Sequence, residues 1–225
     1  MKNLKKDPRF LVEPNKSVQL MEYPNSLDLD LSSEELKEEL ENNVKKKSKL
    51  QEKLYASGKH SVLIVFQAMD AAGKDSTIEH ITSGINPQGV RVTSFKQPSK
   101  EELAHDYLWR CYKALPKKGM IGIFNRSHYE EVLVTRVHPE YIIGQNLPNV
   151  NEVKDIDDSF WESRFESIRN FETHLAKNGT TIIKFFLNVS LEEQKRRFLS
   201  RINEPEKIGN FLTVMSKNES YGILT

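Results

Sequence analysis

One cysteine, Cys111, stands in 225 residues, so the chain forms no internal disulfide and carries no paired-cysteine metal or redox centre. That scarcity fits a reducing compartment, and the cytoplasm is the expected location. Cys111 has no His or Asn context of the kind that activates a thiol, and it reads as a helix-packing residue. An excess of charge is missing too. Lys and Arg number 33 against 32 Asp and Glu, which leaves no global field for nucleic acid or a membrane surface, so any anion site has to come from a local cluster. No apolar run approaches a membrane span, and the basic start MKNLKKDPRFLVEP lacks the apolar segment of a leader. Neither an internal repeat nor a low-complexity tract is visible. His80, His105, His128 and His138 lack metal-ligand spacing and read as structural or surface residues.

What is present is one α/β domain's worth of chain. Residues 1 to about 30 hold Pro8, Pro14 and Pro24 with little periodicity, which predicts an extended arm. A charged helix follows from Ser32 or Ser33 to about Tyr55, with Glu34, Glu35, Glu38 and Glu39 early and a lysine run late, as the helix dipole favours. Strands are predicted over Ser61 to Gln67, Val90 to Phe95, Met120 to Phe124 and Thr180 to Val189. The unbroken apolar runs LIVF, IGIF and IIKFF point to strands buried on both faces of a parallel sheet. Helical periodicity covers Lys100 to Ala114 and Phe160 to Lys177, and Pro139 to Asp158 reads as a loop.

The stretch SVLIVFQAMDAAGKDSTIEHI, residues 61–81, carries the strongest chemical signal: an apolar strand, a Gly-Lys turn, then a helix. In a P-loop, backbone N–H groups and a helix N-terminus surround phosphate oxygens while the lysine adds a full charge. Ala71, Ala72, Gly73, Lys74, Asp75 and Ser76 take those places. The pattern G-x-x-x-x-G-K-[ST] would put Gly at Ala68 and a hydroxyl at Asp75, so both ends depart. With the usual magnesium ligand absent, Asp70, Asp75, Ser76 or Thr77 has to hold the metal or its water shell. If the position of Ala68 needs a positive φ, alanine there carries a cost.

A second constellation follows the third strand in IGIFNRSHYEEVLVTRVHPE, where Asn125, Arg126, Ser127, Tyr129, Glu130 and Arg136 sit at or beyond the carboxyl end, the ligand end of a parallel sheet. An arginine there can grip phosphate with a planar fork, and a carboxylate can orient bound water or a nucleophile.

Together with FKQPSKEELAHDYLWR, FESIRNFETHLAKNGTTIIKFFLNVS and EEQKRRFLSRINEPEK, these segments resemble the polyphosphate kinase 2 family from about Pro8 to Lys207. FNRS followed by Tyr and Glu resembles the branch that phosphorylates nucleoside mono- and diphosphates. The resemblance implies a three-layer α/β/α P-loop kinase fold with a parallel sheet, an N-terminal arm and a helical lid. It also implies transfer of a phosphoryl group from polyphosphate to AMP or ADP with Mg²⁺ (Mn²⁺ as a substitute), in a homo-oligomer. Asp70, Lys74, Arg126 and Glu130 are then the catalytic candidates, with Asp70 at the metal. Lys96, Arg136, Arg196, Arg197 and Arg201 join the cradle in holding phosphate, the last three from a basic lid helix. Asp106, Arg110 and Asn125 join Arg126 and Glu130 on the nucleotide. Read from spacing alone, Arg196, Arg197 and Arg201 are equally an exposed face paired with Glu192 and Glu193, and Asp106 and Arg110 an ordinary i,i+4 pair.

The expected layout is an arm and charged helix over 1–60, a kinase domain over 61–207 with its lid near 190–204, and an atypical tail over 208–225. That tail, IGNFLTVMSKNESYGILT, departs from the family's continuation, and a neighbouring reading frame can encode one that resembles it, so a frameshift near Lys207 is expected. Two alternatives stand beside the main reading: an ATP-dependent nucleoside monophosphate kinase, and an inactive chain that only binds polyphosphate or nucleotide.

Overall fold

The computed structural model describes residues 8–27 and 30–202, with side chains over 9–27 and 30–200; the tail and its expected frameshift lie outside the described residues. The described residues group into two compact units, one of residues 30–68 and 74–186, the other of 8–27, 69–73 and 187–202.

The larger unit is built on a sheet. Strands β1 (Ser61–Ala68), β2 (Val90–Ser94), β3 (Ile121–Asn125) and β4 (Thr180–Leu187) take the order β2-β3-β1-β4. β3 pairs in parallel with both β1 and β2, with Val65 beside Phe124 and Thr93 beside Phe124 on its other side. β1 and β3 are central and buried, as their apolar runs predict. β4 is different. As an edge strand it leaves Phe185 and Phe186 each 46% exposed, so IIKFF is not a strand buried on both faces. Phe185 still stacks on Phe66, with ring centroids 5.2 Å apart.

The helices follow local rules. α1 (Ser33–Ser57) begins with a reciprocal capping box between Ser32 and Glu35 and stops at Gly58, whose φ of 55° ends a helix cheaply because glycine has no Cβ. It is tied down by polar contacts: Gln51, 2% exposed, donates to the Asn86 carbonyl at 2.6 Å and accepts from the Asn86 amide at 2.8 Å. α2 (Lys74–Thr82) packs on β1 and β3. The helix expected from Lys100 to Ala114 breaks into α3 (Lys100–Leu103) and α4 (Trp109–Ala114), because Asp106 accepts the Leu108 amide at 2.9 Å and so favours a turn. α5 (Glu130–Val137) follows the third strand. The expected loop from Pro139 to Asp158 contains α6 (Glu140–Ile143); Pro139 has a helix-compatible φ of −63° and Ile142 is fully buried. α7 (Asp158–Lys177) carries the predicted apolar stripe, with Phe171 and Leu175 packing against Leu63, Val65 and Phe124 of the sheet, and Trp161 and Ile168 packing with Val132 and Ile142. Cys111 lies in the sheet-side core, where burial above all pushes its thiol up to about 12, as befits a packing residue.

In the smaller unit, short 3₁₀ turns at Pro8–Phe10 and Leu20–Glu22 interrupt the arm, and Asn188 donates to the carbonyls of Leu20 and Tyr23. α8 (Leu191–Ile202) is the basic helix.

Candidate active site

At the carboxyl ends of β1 and β3, the larger unit gathers six of the predicted residues. Lys74 opens α2 and donates to the Ala68 carbonyl at 3.0 Å. Asp75, next in the chain, accepts a 2.6 Å hydrogen bond from the Asn125 side-chain amide. Arg126, immediately after β3, has a φ of 65°, a left-handed conformation that costs a non-glycine residue roughly 1–2 kcal/mol. Its amide donates to the Phe66 carbonyl at 3.0 Å, and its guanidinium reaches Glu130 at 3.4 Å. The side chains of Arg126 and Glu130 are 42% and 17% exposed, open enough to meet a ligand. Ser76 is exposed in the first turn of α2.

Arg110 and Asp106 are placed differently. Arg110 is buried, donating to the Lys96 carbonyl at 2.8 Å and lying 3.5 Å from Glu131 rather than pairing with Asp106. Glu131 also meets Arg164 at 3.4 Å and accepts from Gln145 at 2.6 Å, so one carboxylate stands among two buried guanidiniums and an amide. The Lys96 side chain is exposed beyond β2, while its carbonyl is fixed from below by Arg110. Arg136 is exposed near the end of α5, its guanidinium 5.9 Å from the Trp161 ring centroid.

In the smaller unit, the loop of residues 69–73 lies against α8. Positive φ falls on Ala71 (59°) and Gly73 (88°), whereas Ala68 closes β1 without one, so the cost expected for alanine at position 68 does not arise. Gln194 donates to the Asp70 carbonyl at 2.8 Å and Arg197 to the Ala71 carbonyl at 3.3 Å. A Cβ on Gly73 would stand 3.1 Å from the Arg197 guanidinium, so glycine gives room here as well as a permitted φ. Ala72 is buried and Asp70 exposed. Glu193 binds Arg196 through two 2.6 Å contacts and Arg197 at 2.7 Å, and hydrogen bonds from these two arginines hold its carboxyl down at about 2. The ion-paired reading of both arginines is therefore realised, and Arg197 adds the loop to its partners. Arg201 continues α8, its side chain outside the described residues.

Several supporting residues escape motif reading. Glu131, Arg164, Glu172, Lys184 and Gln194 belong to no phosphate-binding pattern. A signal existed for two of them: Arg164 and Glu172 fall beside or within the apolar stripe of α7, where a charged side chain requires a buried partner. The identity of those partners depends on tertiary contacts.

The family model described as Polyphosphate kinase 2 matches residues 30–217. The chain is 49% identical over 217 residues to an ADP-polyphosphate phosphotransferase of Rhodopseudomonas palustris, covering 96% of this chain and 74% of the relative. It is 51% identical over 163 residues to an AMP/ADP-polyphosphate phosphotransferase of Meiothermus ruber, covering 72% of this chain and 55% of the relative. Among solved structures, polyphosphate kinase 2 from Arthrobacter aurescens TC1 superposes with a TM-score of 0.72 at 36% identity, over 87% of this chain and 66% of that one. With its parallel sheet, its strand-to-helix cradle at Lys74 and a family match across most of its length, the chain belongs to the polyphosphate kinase 2 family and has that family's P-loop kinase fold.

Proposed function

We propose that the chain moves the terminal phosphoryl group of inorganic polyphosphate to AMP or ADP, with Mg²⁺. An oxygen of the acceptor's terminal phosphate bonds to the terminal phosphorus of the chain, and the bond from that phosphorus to its bridging oxygen breaks, leaving polyphosphate one unit shorter. The names of the relatives support donor and acceptors alike.

The observation that carries the reading is the 2.6 Å hydrogen bond between Asn125 and Asp75. It links the residue directly after Lys74 to the residue directly before Arg126, so two cations are fixed at the same end of adjacent parallel strands. Phosphoryl transfer asks for positioning and charge neutralisation rather than covalent help, and a lysine and an arginine supply both. Glu130 steadies the Arg126 guanidinium by the 3.4 Å contact. Arg196 and Arg197 of α8 are the cations this reading assigns to further phosphate units.

The oxygen-rich loop residues suit Mg²⁺. Among the described residues no group of three His, Cys, Asp or Glu forms a metal cage. An ion that keeps its waters and leans on phosphates plus one or two carboxylates needs no such cage, and Asp70 is the exposed loop carboxylate for it. The ion neutralises phosphate charge when bound.

The test is to mix the purified protein with AMP, polyphosphate and Mg²⁺ and no ATP. ADP is the expected product. Product only when ATP is added would instead identify an ATP-dependent nucleoside monophosphate kinase.

A further inference from the structure

Arg126 holds a left-handed conformation, and such a residue keeps it only if its surroundings leave no relaxed alternative. The three residues after it show what those surroundings are. Ser127 is fully buried and its hydroxyl accepts from Gln67 at 3.0 Å and from the Tyr129 amide at 3.2 Å. His128, 1% exposed, places Nε2 3.3 Å from a Glu172 carboxylate oxygen. The Tyr129 hydroxyl donates to that same oxygen at 2.7 Å, and Lys184 reaches both the Tyr129 hydroxyl, at 2.9 Å, and the other Glu172 oxygen, at 2.7 Å.

One carboxylate from α7 thus gathers donors from β4 and from His128 and Tyr129, the last two between Arg126 and Glu130 in sequence. The geometry also assigns a proton. Facing a carboxylate, His128 Nε2 carries the hydrogen of that contact, while Nδ1 is buried with no hydrogen-bond partner among the described residues. No phosphate-binding pattern includes this cluster.

We propose that Glu172, held by Lys184, is a positioning residue for phosphoryl transfer: it clamps the turn 127–129 and so fixes the direction in which Arg126 presents its guanidinium. The proposal rests on the reading of Arg126 as a phosphate-facing cation. Glu172→Gln is nearly isosteric, but it turns one acceptor into an NH₂ group that must face Lys184 or His128, both donors. The clamp loosens without leaving a cavity.

The experiment is a double-mutant cycle of Glu172→Gln with Arg126→Ala, run with whichever phosphoryl donor the wild type consumes, and paired with hydrogen exchange. Alone, Glu172→Gln should lower kcat about tenfold and leave KM for both substrates within about twofold; in the Arg126→Ala background it should cost less than about twofold, because its effect passes through that arginine. An equal loss in both backgrounds, or a loss confined to KM, overturns the proposal. Lys184→Met should reproduce the pattern. A wild type that consumes ATP but not polyphosphate sinks the donor assignment and leaves the cycle readable. Exchange reports even on a chain without turnover: amides of residues 126–130 should exchange faster in Glu172→Gln while those of β1 do not change. Unchanged exchange over 126–130, or equal acceleration in β1, overturns the clamp.

Discussion

At the scale of single residues, two carboxylates adjacent in sequence have opposite fates. Glu130 keeps part of its surface open and meets Arg126, whereas Glu131 is buried between Arg110 and Arg164. Their difference follows from helix geometry, since Glu131 and Thr135 lie four residues apart on the inward face of α5. Replacing Glu130 should therefore act on chemistry more than on folding. Glu130→Asn keeps a polar side chain but removes the charge opposite Arg126, and the expected result is a changed ratio of rates with AMP and ADP at a nearly unchanged melting temperature. Initial rates with each acceptor check it, and an unchanged ratio counts against the role given to Glu130. Sequence reading found the open carboxylate because it follows an FNRS turn. It missed the buried one because nothing local says that Arg110 and Arg164 converge on it.

At the scale of elements, the central strands and the long helices were legible, and the irregular joints were not. β1 and β3 announce themselves by apolar runs bounded by turn residues, and α7 by its stripe. The expected helix from Lys100 to Ala114 failed at Asp106, whose side chain favours a turn, and β4 was misjudged because an apolar run does not reveal its place at a sheet edge. The Glu172 cluster joins α7, β4 and the turn before α5, and its electrostatics give a prediction. Burial would raise the Glu172 carboxyl, but hydrogen bonds from His128, Lys184 and Tyr129 and the charge of Lys184 outweigh it and hold the group at about 2, below its ordinary 4.5. A depressed carboxylate stabilises the fold above pH 4.5, and that contribution is lost as pH falls from 4.5 towards 2. Thermal melts across this acidic range should show a steeper decline for the wild type than for Glu172→Gln. Parallel declines would mean that the carboxylate is not held as described.

At the scale of the whole molecule, the chain combines a sheet unit that fixes Lys74 and Arg126 with a smaller unit in which α8 lies on the loop of residues 69–73. Among the described residues no helix is long and apolar enough to cross a membrane. The family match runs to residue 217, ten residues past Lys207. The central claim is that Lys74 supplies the cradle's charge for transfer from polyphosphate. The direct measurement is the initial rate of ADP and ATP formation from AMP, polyphosphate and Mg²⁺ without added ATP, for wild type and Lys74→Ala side by side. The account predicts product from the wild type and a rate lower by a factor of about 10²–10³ in the variant, the scale of removing one preorganised electrostatic group. A folded Lys74→Ala protein that keeps the wild-type rate would contradict it.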